Sequence, residues 1–406
     1  MNKLIRIIRN ICQGLSSFII QRKKAVIVSL INAIILLFVT YFINNSPLFT
    51  GENLNLYTGL EYVSGGKGYV NDSVLLINIA YDKNIAIKKI NGLVVGNTDV
   101  TDRESLIKLL RYLKEMPKDS SYRYIFLDVR FEEGDSTKYD KMLFAEIKST
   151  PRLVVANHRD IVLASEDLKD KAAYSDFLIT LTSNNFVRYQ FLRCQGESMP
   201  LRAYHELYDD SIRNYFGFYT CNKGLCQNTH VVRSVLNMDD NNSESNNGTS
   251  MLGEHSYKNL NAINNYPSLS ILARNKYVIV GNMIDDKHDT FFGKIPGSVL
   301  LFSAYWSLKN GDNMVKPWIE LLLFLLFFGI SFSLFSKTPI IERISWVRNT
   351  KSKLLRFLIT FLGYSTVLFL ATVILYLFYN VIYSIWIPAL YFSIQKTYFT
   401  YKYMKI

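Results

Sequence analysis

The sequence predicts an α/β domain with a mainly parallel sheet and flanking helices, together with four transmembrane α-helices. Between residues 74 and 156, short apolar runs alternate with amphipathic segments, which is the order of right-handed βαβ units. Almost uncharged apolar segments lie before and after the domain, and each has the length of a membrane-spanning helix. We therefore expect one span before the domain and three spans after it.

The distribution of charge predicts which segments face the cytoplasm. The formal net charge is +12, yet acidic and basic residues almost balance between Asn44 and Lys316. The excess of lysine and arginine lies in residues 1–24, in segment 336–356 and in the tail 396–406, which is the positive-inside pattern of membrane flanks. A nucleic-acid-binding protein carries such an excess on its folded domain. No nucleic acid partner is therefore expected.

The N-terminal segments predict a cytoplasmic arm and a membrane anchor. The basic arm, residues 1–24, has apolar residues at helical spacing, which is typical either of an interfacial helix or of an ordinary tail. Residues 25–43 carry no charge and are long enough to cross the bilayer core. A signal peptide is the alternative, but the run ends in YFINNSP without a small-residue cleavage site. We expect an uncleaved anchor followed by an extracytoplasmic domain, residues 44–316.

The first part of the domain is predicted to alternate strands and helices after a polar connector, residues 44–73. Strands are expected at 74–79, 124–129 and 153–156, and helices at 101–116 and 139–148. Thr101 and Glu104 have the spacing of a capping box at the start of the first helix. Pro117 is expected to end that helix.

The middle of the domain shows weaker patterns. Residues 177–192 contain two apolar runs around Ser183-Asn184-Asn185, which predicts a β-hairpin. Residues 238–262 are dense in asparagine and serine and nearly free of large apolar groups. Such a segment buries too little apolar surface to order itself, so we predict a mobile insertion.

A strand, a charged loop and a helix follow in the last part of the domain. The run 277–280 is rich in β-branched residues and ends at Gly281, which predicts a buried strand. Pro296 and Gly297 predict a turn before a helix over 298–309. Gly297 is expected to require either a positive φ or a close approach of the helix.

Three more membrane helices are predicted after the domain. Residues 317–335 form the first of them, and the basic segment 336–356 follows as a cytoplasmic loop. Residues 357–395 carry no charge and are long enough for two helices with a turn near Tyr379-Asn380. Both termini are then cytoplasmic.

The order of strand, glycine, acidic loop, Pro-Gly pair and helix, followed directly by membrane helices, resembles the C-terminal signature of the CHASE2 family of extracytoplasmic bacterial sensor domains. Asp128 in IFLDVRF is similar to the aspartate that ends an early strand of that family, and Val187-Arg188 is similar to a Val-Arg pair after a turn. The matching positions of the signature are Gly281, Asp289, Thr290, Pro296, Gly297, Ala304 and Gly311.

The resemblance covers residues 74–192 and 272–335 and departs from the family at two places. Thr290-Phe291 stands where Thr-Pro is usual, and residues 96–99 replace a proline-tryptophan element. The resemblance implies a ligand-sensing domain. Family members often continue into a cyclase, kinase or phosphatase module, whereas this chain ends soon after its last predicted span, so we expect no output module.

Polar residues that follow strands or match family positions are predicted to form a ligand-binding rim, because open α/β sheets bind ligands at the carboxyl ends of their strands. They are Asp82, Asp128, His158, Arg188, Asp285, Asp289 and Thr290. The alternative is that these residues solvate loops and cap helices. The neighbouring Asp286 and His288 add possible metal ligands, but one loop seldom completes a metal site, and no metal is predicted.

The cysteines allow two interpretations. Cys221 and Cys226 are close enough in sequence to form a disulfide in an oxidising compartment, leaving Cys194 as a thiol. The alternative is that all three are structural thiols.

The sequence therefore predicts a sensor or signalling component of the inner (cytoplasmic) membrane. It would bind an unknown extracytoplasmic ligand and pass the signal to a membrane or cytoplasmic partner. A cell-envelope scaffold without switching is the alternative, and a hydrolase with a loop-bound metal is a weaker one. The GxSxG, P-loop, HExxH and GxGxxG motifs do not occur, so we predict no enzyme, no catalytic residue and no cofactor.

Overall fold

The computed structural model describes residues 23–45, 70–90, 92–117, 121–158, 162–177, 188–232, 234–236, 257–261, 269–290, 293–336, 352–379 and 386–403. The chain divides into two compact units. One unit is Leu54–Met314, and the other combines Met1–Asn53 with Val315–Ile406. We call them the α/β unit and the helical unit.

The described helices and strands are named in chain order. The helices are α1 (Lys23–Asn45), α2 (Arg103–Lys114), α3 (Asp140–Ser149), α4 (Met199–Tyr208), α5 (Leu269–Ala273), α6 (Gly297–Asn310), α7 (Pro317–Phe335), α8 (Lys353–Tyr379) and α9 (Trp386–Tyr403). The strands are β1 (Val74–Asn78), β2 (Lys83–Ile90), β3 (Leu93–Thr101), β4 (Tyr124–Leu127), β5 (Asp135–Ser136), β6 (Leu153–Asn157), β7 (Ala172–Tyr174), β8 (Arg188–Gln190), β9 (Leu192–Arg193), β10 (Gly196–Glu197), β11 (Arg213–Tyr215), β12 (Phe218–Cys221), β13 (Gly224–Cys226), β14 (Thr229–Val231), β15 (Lys258–Asn259), β16 (Tyr277–Gly281), β17 (Lys287–Thr290) and β18 (Gly293–Pro296).

A six-stranded sheet forms the centre of the α/β unit. Its strand order is β15-β1-β16-β4-β6-β7, and every neighbouring pair is parallel. Strands β4 and β16 are buried along their whole length, as expected when both faces of a parallel sheet are covered. The predicted parallel sheet with flanking helices is confirmed.

Alternate residues of the central strands supply two hydrophobic cores. On one face, Tyr124 and Phe126 pack in the cluster that includes α4 and α6. On the other face, Ile125 and Leu127 pack in the cluster that includes α2, α3 and α5. The strands therefore need apolar residues at successive positions, because each face of the sheet carries its own helical layer.

Helix α2 is capped one residue later than its sequence suggests. Thr101 is still part of β3, where it pairs with Lys83, so its side chain is not at the helix terminus. Asp102 is the cap instead. Its Oδ1 accepts a hydrogen bond from the Glu104 amide at 3.1 Å, and its Oδ2 accepts one from Ser105 Oγ at 2.6 Å. The predicted capping box at Thr101 is therefore wrong.

The hairpin of β2 and β3 was not predicted from the sequence. It forms a second, three-stranded sheet with the short strand β5. The predicted hairpin at 177–192 falls largely on residues 178–187, which lie outside the described residues. The described strand at its end, β8, pairs with β14.

The predicted mobile insertion 238–262 needs correction at its C-terminal end. Residues 257–261 are part of the α/β unit, because β15 pairs with β1. Leu260 is fully buried, and its amide donates a hydrogen bond to Asp82 Oδ2 at 2.9 Å. Residues 237–256 lie outside the described residues.

The helical unit contains three described helices that are long and apolar enough to cross a membrane. They are α1, α7 and the Leu354–Leu375 part of α8. The prediction of a protein with transmembrane helices is confirmed in this form. Helix α9 continues through Lys396 to Tyr403, so part of the predicted C-terminal tail is helical.

Polar contacts connect the helices of this unit. Asn32 of α1 donates a hydrogen bond to Ser331 Oγ of α7 at 2.7 Å and accepts one from the Tyr391 hydroxyl of α9. The buried Lys396 of α9 donates one to Thr360 Oγ1 of α8 at 2.9 Å. Such contacts between apolar helices fix which faces meet.

We expect Asp102→Ala to loosen the start of α2. Loss of an N-terminal cap costs about 1 kcal/mol, and the effect should be concentrated in the first turns. Amide hydrogen exchange over Arg103–Lys114 measures it. Thr101→Ala is the matched control and should leave the exchange of α2 unchanged. If Thr101→Ala increased the hydrogen exchange of α2 as much as Asp102→Ala does, the assignment of the cap to Asp102 alone would be wrong.

Candidate ligand-binding cavity

A cavity of about 230 Å³ opens at the carboxyl edge of the central sheet. Residues that follow β4, β6, β7 and β16 line it together with the first turns of α6. Its lining is Asp128, His158, Ser175, Asp176, Phe177, Tyr189, Asp286, His288, Gly297, Leu300 and Leu301. Three carboxylates and two imidazoles thus face one space that also has aromatic and aliphatic walls.

His158 and Asp176 form one ion pair in the cavity. His158 Nδ1 lies 3.0 Å from Asp176 Oδ1 and 3.3 Å from Ser175 Oγ. The hydrogen bond to Asp176 raises the pKa of His158, burial opposes this rise, and the charge of Asp128 adds to it. The pair therefore favours the imidazolium form.

Asp128 differs from the other cavity carboxylates in its partners. Its carboxylate accepts no hydrogen bond from any described residue, whereas its backbone amide donates to Val280 O at 2.8 Å. Enclosure in the cavity removes water from the carboxylate and raises the pKa of Asp128 to about 7. The charge of Asp286 acts in the same direction, and His158 and His288 oppose it. The cavity thus holds an acidic group that changes charge near neutral pH.

Asp286 and His288 form a second close pair in one wall of the cavity. His288 Nε2 lies 3.2 Å from Asp286 Oδ1, and the ring of Phe177 packs edge-on against the imidazole with centroids 4.4 Å apart. Strands β17 and β18 hold this wall, because His288 pairs in register with Ile295.

Gly297 makes room for the Asp286 and His288 side chains. Its backbone is helical, so a positive φ does not explain the glycine. A Cβ at this position would lie 2.6 Å from Asp286 Oδ2 and 3.0 Å from His288 Nε2. Of the two expected reasons for this glycine, close approach is therefore the one that applies.

Gly281, at the end of β16, also allows a close approach, in this case of Ser298 in α6. A Cβ there would lie 2.7 Å from Ser298 Cβ and 3.4 Å from Asp128 Cβ. The two glycines let the strand, the loop and α6 come together around the cavity. Pro296 is the residue before α6 and pairs with Lys287 in the hairpin.

The structure brings only some of the predicted rim residues together. Asp128 and His158 line the cavity. Asp82 follows β1 but is buried, which raises its pKa, and it accepts the hydrogen bond from Leu260. Asp285 is exposed and lies 3.8 Å from Lys83 Nζ.

The remaining predicted residues also lie outside the cavity lining. Arg188 is buried within β8. Asp289 is exposed on β17 opposite Lys294, and Thr290 is buried at the end of the same strand.

The sequence did not point to Asp176, Ser175 or Tyr189. Asp176 follows the short strand β7, whose three residues, Ala172–Tyr174, are too few to give a strand pattern. The recoverable signal was a Ser-Asp pair directly after a small apolar run, because such a pair at a strand end lies at the ligand edge of a parallel sheet.

The predicted disulfide between Cys221 and Cys226 is not formed in the structure. Both residues are thiols, as is the exposed Cys194. Cys221 lies on β12 and Cys226 lies on the paired strand β13. Burial, together with the neighbouring Cys221, raises the pKa of the Cys226 thiol, and Cys221 Sγ lies 3.4 Å from Met314 Sδ.

Comparison of the chain with models of known protein families, with curated proteins and with solved structures gives no match. The resemblance to the CHASE2 family stays a prediction. Among the described residues, no group of three or more histidine, cysteine or acidic side chains is arranged to hold a metal ion.

We expect Asp128→Asn to stabilise the protein more at pH 8 than at pH 5. An unfolded aspartate titrates at about 3.9, whereas folded Asp128 titrates at about 7. The folded state therefore holds a proton that the unfolded state lacks, and its stability falls as pH rises between these values. The raised pKa of His158 acts in the same direction, since its stabilisation is lost as pH rises through the folded pKa.

Thermal unfolding of both proteins at both pH values measures this effect. The gain in the free energy of unfolding caused by Asp128→Asn should be larger at pH 8 than at pH 5 by on the order of 1 kcal/mol or more. The matched control is Asp289→Asn, which removes an exposed carboxylate of the neighbouring hairpin. Parallel pH dependences of wild type and Asp128→Asn would show that Asp128 is not titrating in this range.

Proposed function

We propose that this protein is a membrane-anchored sensor that binds a small ligand in the cavity and passes a signal to a partner protein. The observation that carries the proposal is the Asp128 carboxylate, which faces the cavity without a hydrogen bond from any described residue. Burial of a carboxylate that accepts no hydrogen bond is costly, and groups with strongly shifted pKa values cluster at functional sites. The cavity also lies at the usual ligand edge of an open α/β sheet.

The position of α6 supports coupling between the cavity and the membrane helices. Gly297, Leu300 and Leu301 of α6 line the cavity. The same helix ends at Asn310, and the membrane helix α7 starts at Pro317. A ligand that binds one arrangement of α6 more tightly than another would shift the population of that arrangement. The short connection passes such a shift along the chain.

The proposed topology places the α/β unit outside the cytoplasm, with α9 as the fourth span and both termini inside. The basic residues in segments 1–24 and 336–356 support this orientation. We assign the protein to the inner membrane and the α/β unit to the CHASE2 type of sensor domain on the residues quoted above. The partner would contact the membrane helices or the basic segment 336–356.

Labelling with a membrane-impermeant maleimide tests the topology. In a variant that keeps only Cys194, which is exposed, we expect labelling of intact cells. A single cysteine at position 352 or 406 should react only after permeabilisation. Labelling of position 406 from outside would show that α9 does not cross the membrane.

Purification of the full-length protein in mild detergent, followed by mass spectrometry, tests the signalling role. We expect a kinase, cyclase or transporter to co-purify, and we expect Asp128→Asn to change the amount recovered. Asp289→Asn should leave recovery at the wild-type level. Recovery of envelope-assembly proteins alone, unaffected by Asp128→Asn, would favour the scaffold.

A further inference from the structure

We infer that the cavity selects a small organic cation, namely a guanidinium or ammonium group carried on a short apolar chain. This inference rests on the proposed function, because it names the ligand class of the same cavity. Three features of the lining support it: its charge, its apolar walls and the position of Asp128.

The charge of the lining favours a cation. Asp128, Asp176 and Asp286 face the cavity, and no lysine or arginine is among the described lining residues. When Asp128 is ionised, the two imidazoles offset at most two of the three carboxylate charges. Arg130 is close enough to influence His158, but its exposed side chain is paired with Glu132 at 2.8 Å. An anionic ligand would therefore meet unfavourable charge in this cavity once Asp128 is ionised.

The walls of the cavity favour an organic cation over a bare metal ion. Phe177, Leu300 and Leu301 provide apolar surface, and Tyr189 adds an aromatic ring. Aromatic faces attract organic cations, and aliphatic walls match a short apolar chain. Among the described residues, no group of three or more histidine, cysteine or acidic side chains could hold a metal ion.

Asp128 provides the binding group that specifies the ligand. A guanidinium group offers two parallel N–H donors to one carboxylate, and the Asp128 carboxylate accepts no hydrogen bond from any described residue. A cation favours the ionised carboxylate, so binding would release a proton wherever Asp128 is protonated in the free protein. Affinity should therefore increase as pH rises through neutrality.

Calorimetric titration of the full-length protein in detergent tests this inference with three probes of similar shape. They are n-butylguanidinium, the neutral n-butylurea and the anionic pentanoate. We expect millimolar or tighter binding of the guanidinium and at least tenfold weaker binding of the other two probes. Guanidinium stays charged throughout this range, so its affinity should rise about tenfold from pH 6 to pH 8 if one group with a pKa of about 7 controls it. Heats measured in two buffers should show proton release.

Asp128→Asn should weaken guanidinium binding at least tenfold and abolish its pH dependence, whereas the control Asp289→Asn should keep both. The pH slope is measured on wild type alone, so the inference is decided even if Asp128→Asn does not fold. Equal or tighter binding of pentanoate or n-butylurea would overturn the ligand class while leaving the cavity as a ligand site. Binding of Zn²⁺ or Mn²⁺ without guanidinium binding would overturn it too, and so would an absence of binding by all probes.

Discussion

The close packing of strand β16 against helix α6 is the contact on which the rest of the α/β unit depends. At Gly281 the helix comes so near that a Cβ would lie 2.7 Å from Ser298 Cβ. Strand β16 hydrogen-bonds to β1 on one side and to β4 on the other. Its residues alternate between the two cores, with Ile279 in one and Val280 in the other. A displacement of this strand would therefore disturb both layers, and a displacement of α6 would disturb its own layer and the cavity.

The same packing explains the electrostatics of the site. Because β4, β6, β7 and β16 end at one edge, acidic residues that are distant in sequence are brought close together, and burial removes water from Asp128. Asp128 and Asp286 repel each other there, and two imidazoles offset part of that repulsion. The outcome is a group that titrates near neutral pH instead of at the usual value for aspartate. Such a site is sensitive to the charge of whatever enters it.

The helical unit uses polar contacts for a different purpose. Hydrogen bonds such as those of Asn32 with Ser331 and of Lys396 with Thr360 add to apolar packing in specifying which helices pair. Lys396 was assigned to a cytoplasmic tail from the sequence because it follows a long uncharged run. The structure instead buries it in a helix that continues to Tyr403. A single charge near the end of an apolar run is thus a weak marker of a helix boundary.

The sequence by itself determined the elements whose signals are local. Apolar runs predicted strands β1, β4, β6 and β16, and long uncharged segments predicted the three helices that are long and apolar enough to cross a membrane. The residues after two of those strands are Asp128 and His158. Tertiary structure alone decided that β16, which is encoded late in the chain, lies between β1 and β4. It also decided that Asp176, Asp286 and His288 meet Asp128. The physical reason is that periodicity reports which face of an element is buried, whereas strand order and the convergence of charged groups arise from contacts between segments far apart in the chain.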